Sequence, residues 1–90
     1  MIKKKITIEN SSGLHARPSA ALVKLAGKFE SDFYIYSYGY RVNGKSILGV
    51  MTLAAEQGAE LELEVEGPDE EKAMEAICEL VSSKFGMEDE

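Results

Sequence analysis

The sequence predicts an α+β fold, an open-faced two-layer sandwich of order β-α-β-β-α-β-α with a four-stranded antiparallel sheet and three helices on one face. Three observations predict it. Leu61, Leu63 and Val65 alternate with Glu60, Glu62, Glu64 and Glu66, the pattern of a strand with one buried and one wet face. Pro18, Leu22, Leu25, Ala26 and Phe29 recur at helical spacing, and Phe33-Tyr34-Ile35-Tyr36 is a β-favouring run that Tyr38-Gly39 can fold back on itself. A sheet with one wet face carries a single helix layer, and ninety residues suffice for one core but not two, so residues 1–90 are read as one domain.

The elements follow in order. Over residues 2–8, Ile6 and Ile8 alternate with Lys5 and Thr7, which suits a strand, and Asn10-Ser11-Ser12-Gly13 then forces a turn. The first helix begins at His15 or Ala16, because Pro18 is tolerated only in a first turn, and Gly27 suits its end. Phe33–Tyr36 and Tyr40–Val42 form a hairpin. Ser46 to Leu53 is apolar nearly all round, so periodicity does not decide its state; Ser46 as a favourable N-cap argues for a short helix. After the Glu60–Glu66 strand, Gly67-Pro68-Asp69-Glu70-Glu71 opens a last helix with acids suited to the dipole. Ala73, Ile77, Leu80 and Lys84 or Phe85 follow one face of it, and the acidic residues 87–90 are expected to fray.

Composition excludes several classes of function. With 44% apolar and 29% charged residues, the chain reads as a soluble, cytoplasmic globule, and no run approaches the roughly 18 apolar residues of a membrane span. The basic N-terminus lacks the apolar segment of a signal peptide, so no membrane insertion is expected. The single Cys78 forms no internal disulfide or multi-thiolate metal site and is expected to be a small buried apolar residue; no metal or cofactor is implied. The net charge of -6 divides unevenly: residues 1–45 hold eight basic and three acidic side chains, residues 46–90 two and thirteen. An acidic chain without a basic aromatic stripe is a poor ligand for nucleic acid, so protein partners are expected. Tyr34 and Tyr36 are read as cover for the open sheet face, and the glutamates of residues 60–66 as a solvated face.

His15 is the only histidine, and its setting gives it meaning. Gly13-Leu14 makes a turn and His15-Ala16-Arg17-Pro18 starts a helix, which places the imidazole beside backbone N–H groups without intrahelical partners. A phosphate on His15 would meet the backbone amides of Ala16 and Arg17 together with the Arg17 guanidinium. The positive end of the helix dipole favours an anion at this position. Phosphoryl transfer needs chiefly position and charge stabilisation, so this is sufficient equipment for a covalent carrier. Without wider context, a histidine that merely caps the helix would be the commoner case.

The wider context is a family resemblance. Gly13-Leu14-His15-Ala16-Arg17-Pro18 closely resembles the phosphorylation motif of the HPr family, the histidine-containing phosphocarriers of the bacterial sugar phosphotransferase system. Asn43 to Leu53 looks like the family's second signature, around its regulatory serine, and Gln57-Gly58-Ala59 and Glu66-Gly67 match its turns, so the similarity runs over nearly the whole chain. The resemblance implies that His15 accepts phosphate through Nδ1 while Arg17 orients it. Enzyme I, charged by phosphoenolpyruvate, would be the donor and the sugar-specific IIA domains of permeases the acceptors, with the chain acting as a relay without turnover of its own. Regulatory paralogues lack the active histidine, which this chain retains.

Two further features carry expectations. Ser46 followed by Gly49-Val50-Met51 resembles the branch phosphorylated by HPr kinase/phosphorylase, whose product acts with a catabolite-control repressor. Ser46 is also a plain N-cap, and both roles are compatible, since a phosphate there adds about two negative charges without needing to refold the helix. Ile47, Leu48 and Met51 cannot all face inward from two turns, so some should form an exposed partner surface on what is expected to be a monomer. Gly39 to Ser46 also matches the Walker A spacing, but Tyr40-Arg41-Val42 reads as a strand and the following helix is short, so the match is read as accidental. Gly27 and the tyrosine-rich second strand depart from the commonest family pattern, and neither touches the proposed site.

Overall fold

A computed structural model of the chain describes residues 1–86; the expectation for residues 87–90 lies outside the described residues. The order is β1 (Ile2–Thr7), α1 (Ala16–Ala26), β2 (Asp32–Ser37), β3 (Tyr40–Asn43), α2 (Ile47–Thr52), β4 (Glu60–Glu66) and α3 (Glu70–Ser82). A 3-10 turn over Lys84–Gly86 closes the described chain. The sheet order is β1-β4-β2-β3, every neighbour antiparallel. The predicted α+β two-layer sandwich is the fold observed.

The register explains which residues are inside. Val65 faces Ile2 on one side and Phe33 on the other, and Leu63 is opposite Ile35, so period-two alternation puts Leu61, Leu63, Val65, Phe33 and Ile35 on the helix side. Leu22 and Ala26 of α1, Val50 of α2 and Ala73, Met74, Ile77 and Val81 of α3 close the core above them. Each large aliphatic or aromatic side chain so buried contributes about 1.5–3 kcal/mol. Tyr38 and Gly39 both take positive φ, 49° and 83°, the left-handed pair required by the tightest hairpin turn.

Several details differ from the sequence reading, each for a physical reason. The strand face of β4 is not uniformly wet: Glu64 is only 8% exposed, accepts a hydrogen bond from Tyr36 Oη at 3.1 Å and lies 3.7 Å from Lys3 Nζ. Neighbouring strands cover it, which a single-strand pattern does not reveal. The strand of residues 2–8 ends at Thr7, yet Ile8 stays buried and keeps two backbone bonds, to Ala59 and from Gly58. Gly27 ends α1 at φ -65°, so its left-handed freedom is not used. On α3, Leu80 is only partly buried while Met74 and Val81 are fully so, and Phe85 reaches the core from the 3-10 turn rather than from the helix. Cys78 is half-buried rather than buried; that partial burial pushes its thiol pKa up, against the opposing pull of Lys4.

A tertiary clamp joins the start of α3 to the segment that leads into β2. Asp69 accepts hydrogen bonds from the backbone N–H of Glu30 and of Ser31, both at 2.9 Å, and from Ser31 Oγ. These bonds, the Ser31 hydroxyl first, hold the Asp69 carboxyl below its ordinary value.

Candidate functional site

The site is built from the chain's first turn upward. Gly13 sits at φ +65°, and a Cβ there would overlap the Ala55 carbonyl and Glu56 Cα, so both conformation and space demand glycine. The Leu14 N–H donates to Ala55 O at 2.8 Å, and Leu14 itself is buried, which anchors the turn to the loop that follows α2. From this anchor the chain enters α1 through His15.

His15 occupies the N-cap with an extended backbone, φ -76° and ψ -173°, and its carbonyl accepts the first helical bond from Ser19 N–H at 2.9 Å. Its side chain makes no capping hydrogen bond, and the residue is exposed. The commoner structural role for a lone histidine, a cap, is therefore not the one it plays. Ala16 and Arg17 follow, both exposed, and no acidic residue stands in the first turn to offset the positive helix end. Pro18 and Ser19 turn inward and are buried, which fixes the phase of the helix so that residues 15–17 face out.

α2 packs against α1 and supplies the neighbouring surface. Ser46 caps it as the sequence predicted: Oγ accepts from Gly49 N–H at 3.1 Å. Ile47 and Met51 are each 41% exposed and Leu48 75%, while Val50 alone is fully buried, so the predicted apolar patch is present. α2 is thus tied to the His15 turn through its packing on α1 and through Ala55. The glycine-lysine-serine segment before α2 is not a phosphate loop. Tyr40–Asn43 is a strand paired with β2, a Cβ on Gly44 would overlap the Phe33 ring, and Lys45 Nζ is committed to Phe29 O at 2.7 Å.

Three supporting residues escape sequence reasoning. Asn10 is buried and donates from Nδ2 to Gly13 O, Ser19 Oγ donates to Leu14 O at 2.9 Å, and Ala55 holds Leu14. Asn10 read only as part of a polar breaker, and Ser19 carries no periodic signal.

A family model described as the PTS HPr component phosphorylation site matches residues 2–83. The chain belongs to the HPr family. The phosphocarrier protein HPr of Cupriavidus necator is 48% identical over 86 residues, covering 96% of this chain and 97% of the relative. A crystal structure of HPr from Thermoanaerobacter tengcongensis aligns with a TM-score of 0.94 at 45% identity, covering 98% of this chain and 99% of that one. The HPr-like protein Crh of Bacillus subtilis is 38% identical over 84 residues, covering 93% and 99%. HPr proteins are phosphocarriers of the phosphotransferase system, not enzymes with turnover of their own, and that role comes with the family. Among the described residues no helix is long and apolar enough to cross a membrane.

Proposed function

We propose that His15 accepts a phosphoryl group from enzyme I, itself charged by phosphoenolpyruvate, and passes it to IIA domains of sugar permeases. The observation that carries this reading is the exposed, uncapped imidazole at the start of a helix whose first turn holds Arg17 and no acidic side chain. Nδ1 attacks phosphorus as the bond to the donor breaks; the new N–P bond then breaks in turn when the acceptor's nucleophile attacks. The Ala16 and Arg17 amides and the Arg17 guanidinium stabilise the charge on the phosphoryl oxygens at each step. Ile47, Leu48 and Met51 form the surface on which donor and acceptors dock in turn, with methionine suited to adaptable contacts. The chain works as a one-domain monomer in the cytoplasm, since successive partners must reach the same face.

Ser46 adds regulation to the relay. HPr kinase/phosphorylase modifies its hydroxyl, and the doubly charged product serves a catabolite-control repressor while hindering partners that use α2. The capping geometry supports this, because a phosphate at a helix start is compatible with the dipole. The relay is tested by incubating the chain with enzyme I and labelled phosphoenolpyruvate. Acid-labile label is expected on the native chain and absent from His15→Ala; equal label on both rejects His15 as the acceptor.

A further inference from the structure

We propose that Asn10 is a positioning residue for the phosphoryl site, holding the Gly13–Leu14 peptide that sets the direction of His15; this rests on His15 being the acceptor. Asn10 is 1% exposed, and its Nδ2 donates to Gly13 O at 2.8 Å and to Ser12 Oγ at 3.2 Å. Gly13 N–H returns a bond to Asn10 O at 3.2 Å. The other end of the same peptide, Leu14 N–H, is held by Ala55 O at 2.8 Å. One peptide plane is thus gripped at both ends, by a side chain from the segment after β1 and by a carbonyl from the loop after α2. The next two carbonyls, of Leu14 and His15, are both held by Ser19.

The freedom left in this chain of constraints lies at Gly13, whose φ of +65° is a conformation that glycine enters and leaves readily. The Asn10 bond to Gly13 O is what opposes that rotation from the N-terminal side. Asparagine is also a costly choice here, because its Oδ1 is buried with no hydrogen-bond partner among the described residues. An apolar side chain would avoid that penalty but leave Gly13 O without its donor, so the donating end of the amide accounts for the residue. Asn10 does not touch the reacting atoms. It acts through the backbone that aims them.

The test is steady-state phosphorylation by enzyme I and phosphoenolpyruvate with the chain as the varied substrate. Asn10→Ala is expected to lower kcat roughly ten- to a hundredfold with KM within about twofold, because aim is lost while the α2 docking surface is intact. Ile77→Val, a core change away from the site, serves as a destabilised control that keeps both constants. Asn10→Asp is expected to be as slow as Asn10→Ala at alkaline pH, where a carboxylate faces the Gly13 carbonyl. It recovers relative to Asn10→Ala as the pH falls and the protonated carboxyl offers its O–H. Native constants in Asn10→Ala, a loss confined to KM, or the absence of acid recovery in Asn10→Asp overturns the proposal. A native chain that takes no label overturns instead the reading of His15 and the proposal with it. Should Asn10→Ala be unfolded at the assay temperature, the scalar coupling across the Nδ2–H···O=C bond to Gly13, read by NMR on the native chain, decides. A coupling that is seen and persists when His15 is phosphorylated supports positioning, and one that is missing in either state overturns it.

Discussion

At the scale of single residues, the site depends on backbone geometry more than on the number of its functional side chains. Gly13 illustrates this. Replacing it by alanine forces a left-handed conformation on a residue that avoids it and drives a methyl into Ala55. Gly13→Ala is expected to cost about 1–3 kcal/mol by urea denaturation and to slow labelling of His15 even in the folded fraction. Ser46 carries a different load. Because Oγ caps α2 through Gly49 N–H, Ser46→Ala is expected to lose about 1 kcal/mol, while Ser46→Asp, which preserves a capping oxygen, recovers most of it. Equal stabilities for the two variants in the same denaturation series would show that the cap contributes nothing.

At the scale of elements, each strand and helix was legible where one periodicity dominated. β4 declared itself through leucine and valine alternating with glutamate, and α1 through Pro18 and the apolar stripe behind it. α2 was legible only through its cap, since Ile47, Leu48, Val50 and Met51 fit any regular structure. His15 and Arg17 were visible because they sit in a contiguous motif. Asn10, Ser19 and Ala55 were not, because what they do is bond to carbonyls and amides brought near by folding, and polar residues in a turn look alike in sequence. Glu64 failed for a related reason: its burial comes from Tyr36 and Lys3 on the two flanking strands, not from its own. The Asp69 clamp is likewise a long-range feature, joining the start of α3 to the segment between α1 and β2. A carboxyl whose native pKa is lowered stabilises the fold fully above the ordinary aspartate range, and that stabilisation is lost as the pH falls toward the lowered native value. Asp69→Asn is therefore expected to melt at a lower temperature than the native chain at neutral pH, with the gap narrowing through the acid range. A gap independent of pH would show that the charge of the Asp69 carboxylate is not what the substitution removes.

At the scale of the whole molecule, the open-faced sandwich separates support from presentation. The sheet and α3 bury the core, while the beginning of α1 and the outer face of α2 are left exposed side by side, one carrying His15, the proposed nucleophile, and the other an apolar surface. A carrier needs such an arrangement: its active group is offered outward to partners that complete the reaction environment. The first turn of α1 holds no acidic side chain, while β4 and α3 carry most of the glutamates of the acidic second half of the sequence. In the proposed relay the phosphoryl group resides on one ring nitrogen of His15 and leaves it for a second protein. NMR of the chain with nitrogen-15 in its histidine, recorded after phosphorylation by enzyme I and again after adding a IIA domain, tests this directly. Phosphorus bonded to Nδ1 is expected in the first spectrum and a free imidazole in the second, with the phosphoryl group on the acceptor. Phosphate on any other atom, or phosphohistidine that a competent IIA domain leaves in place, would contradict it.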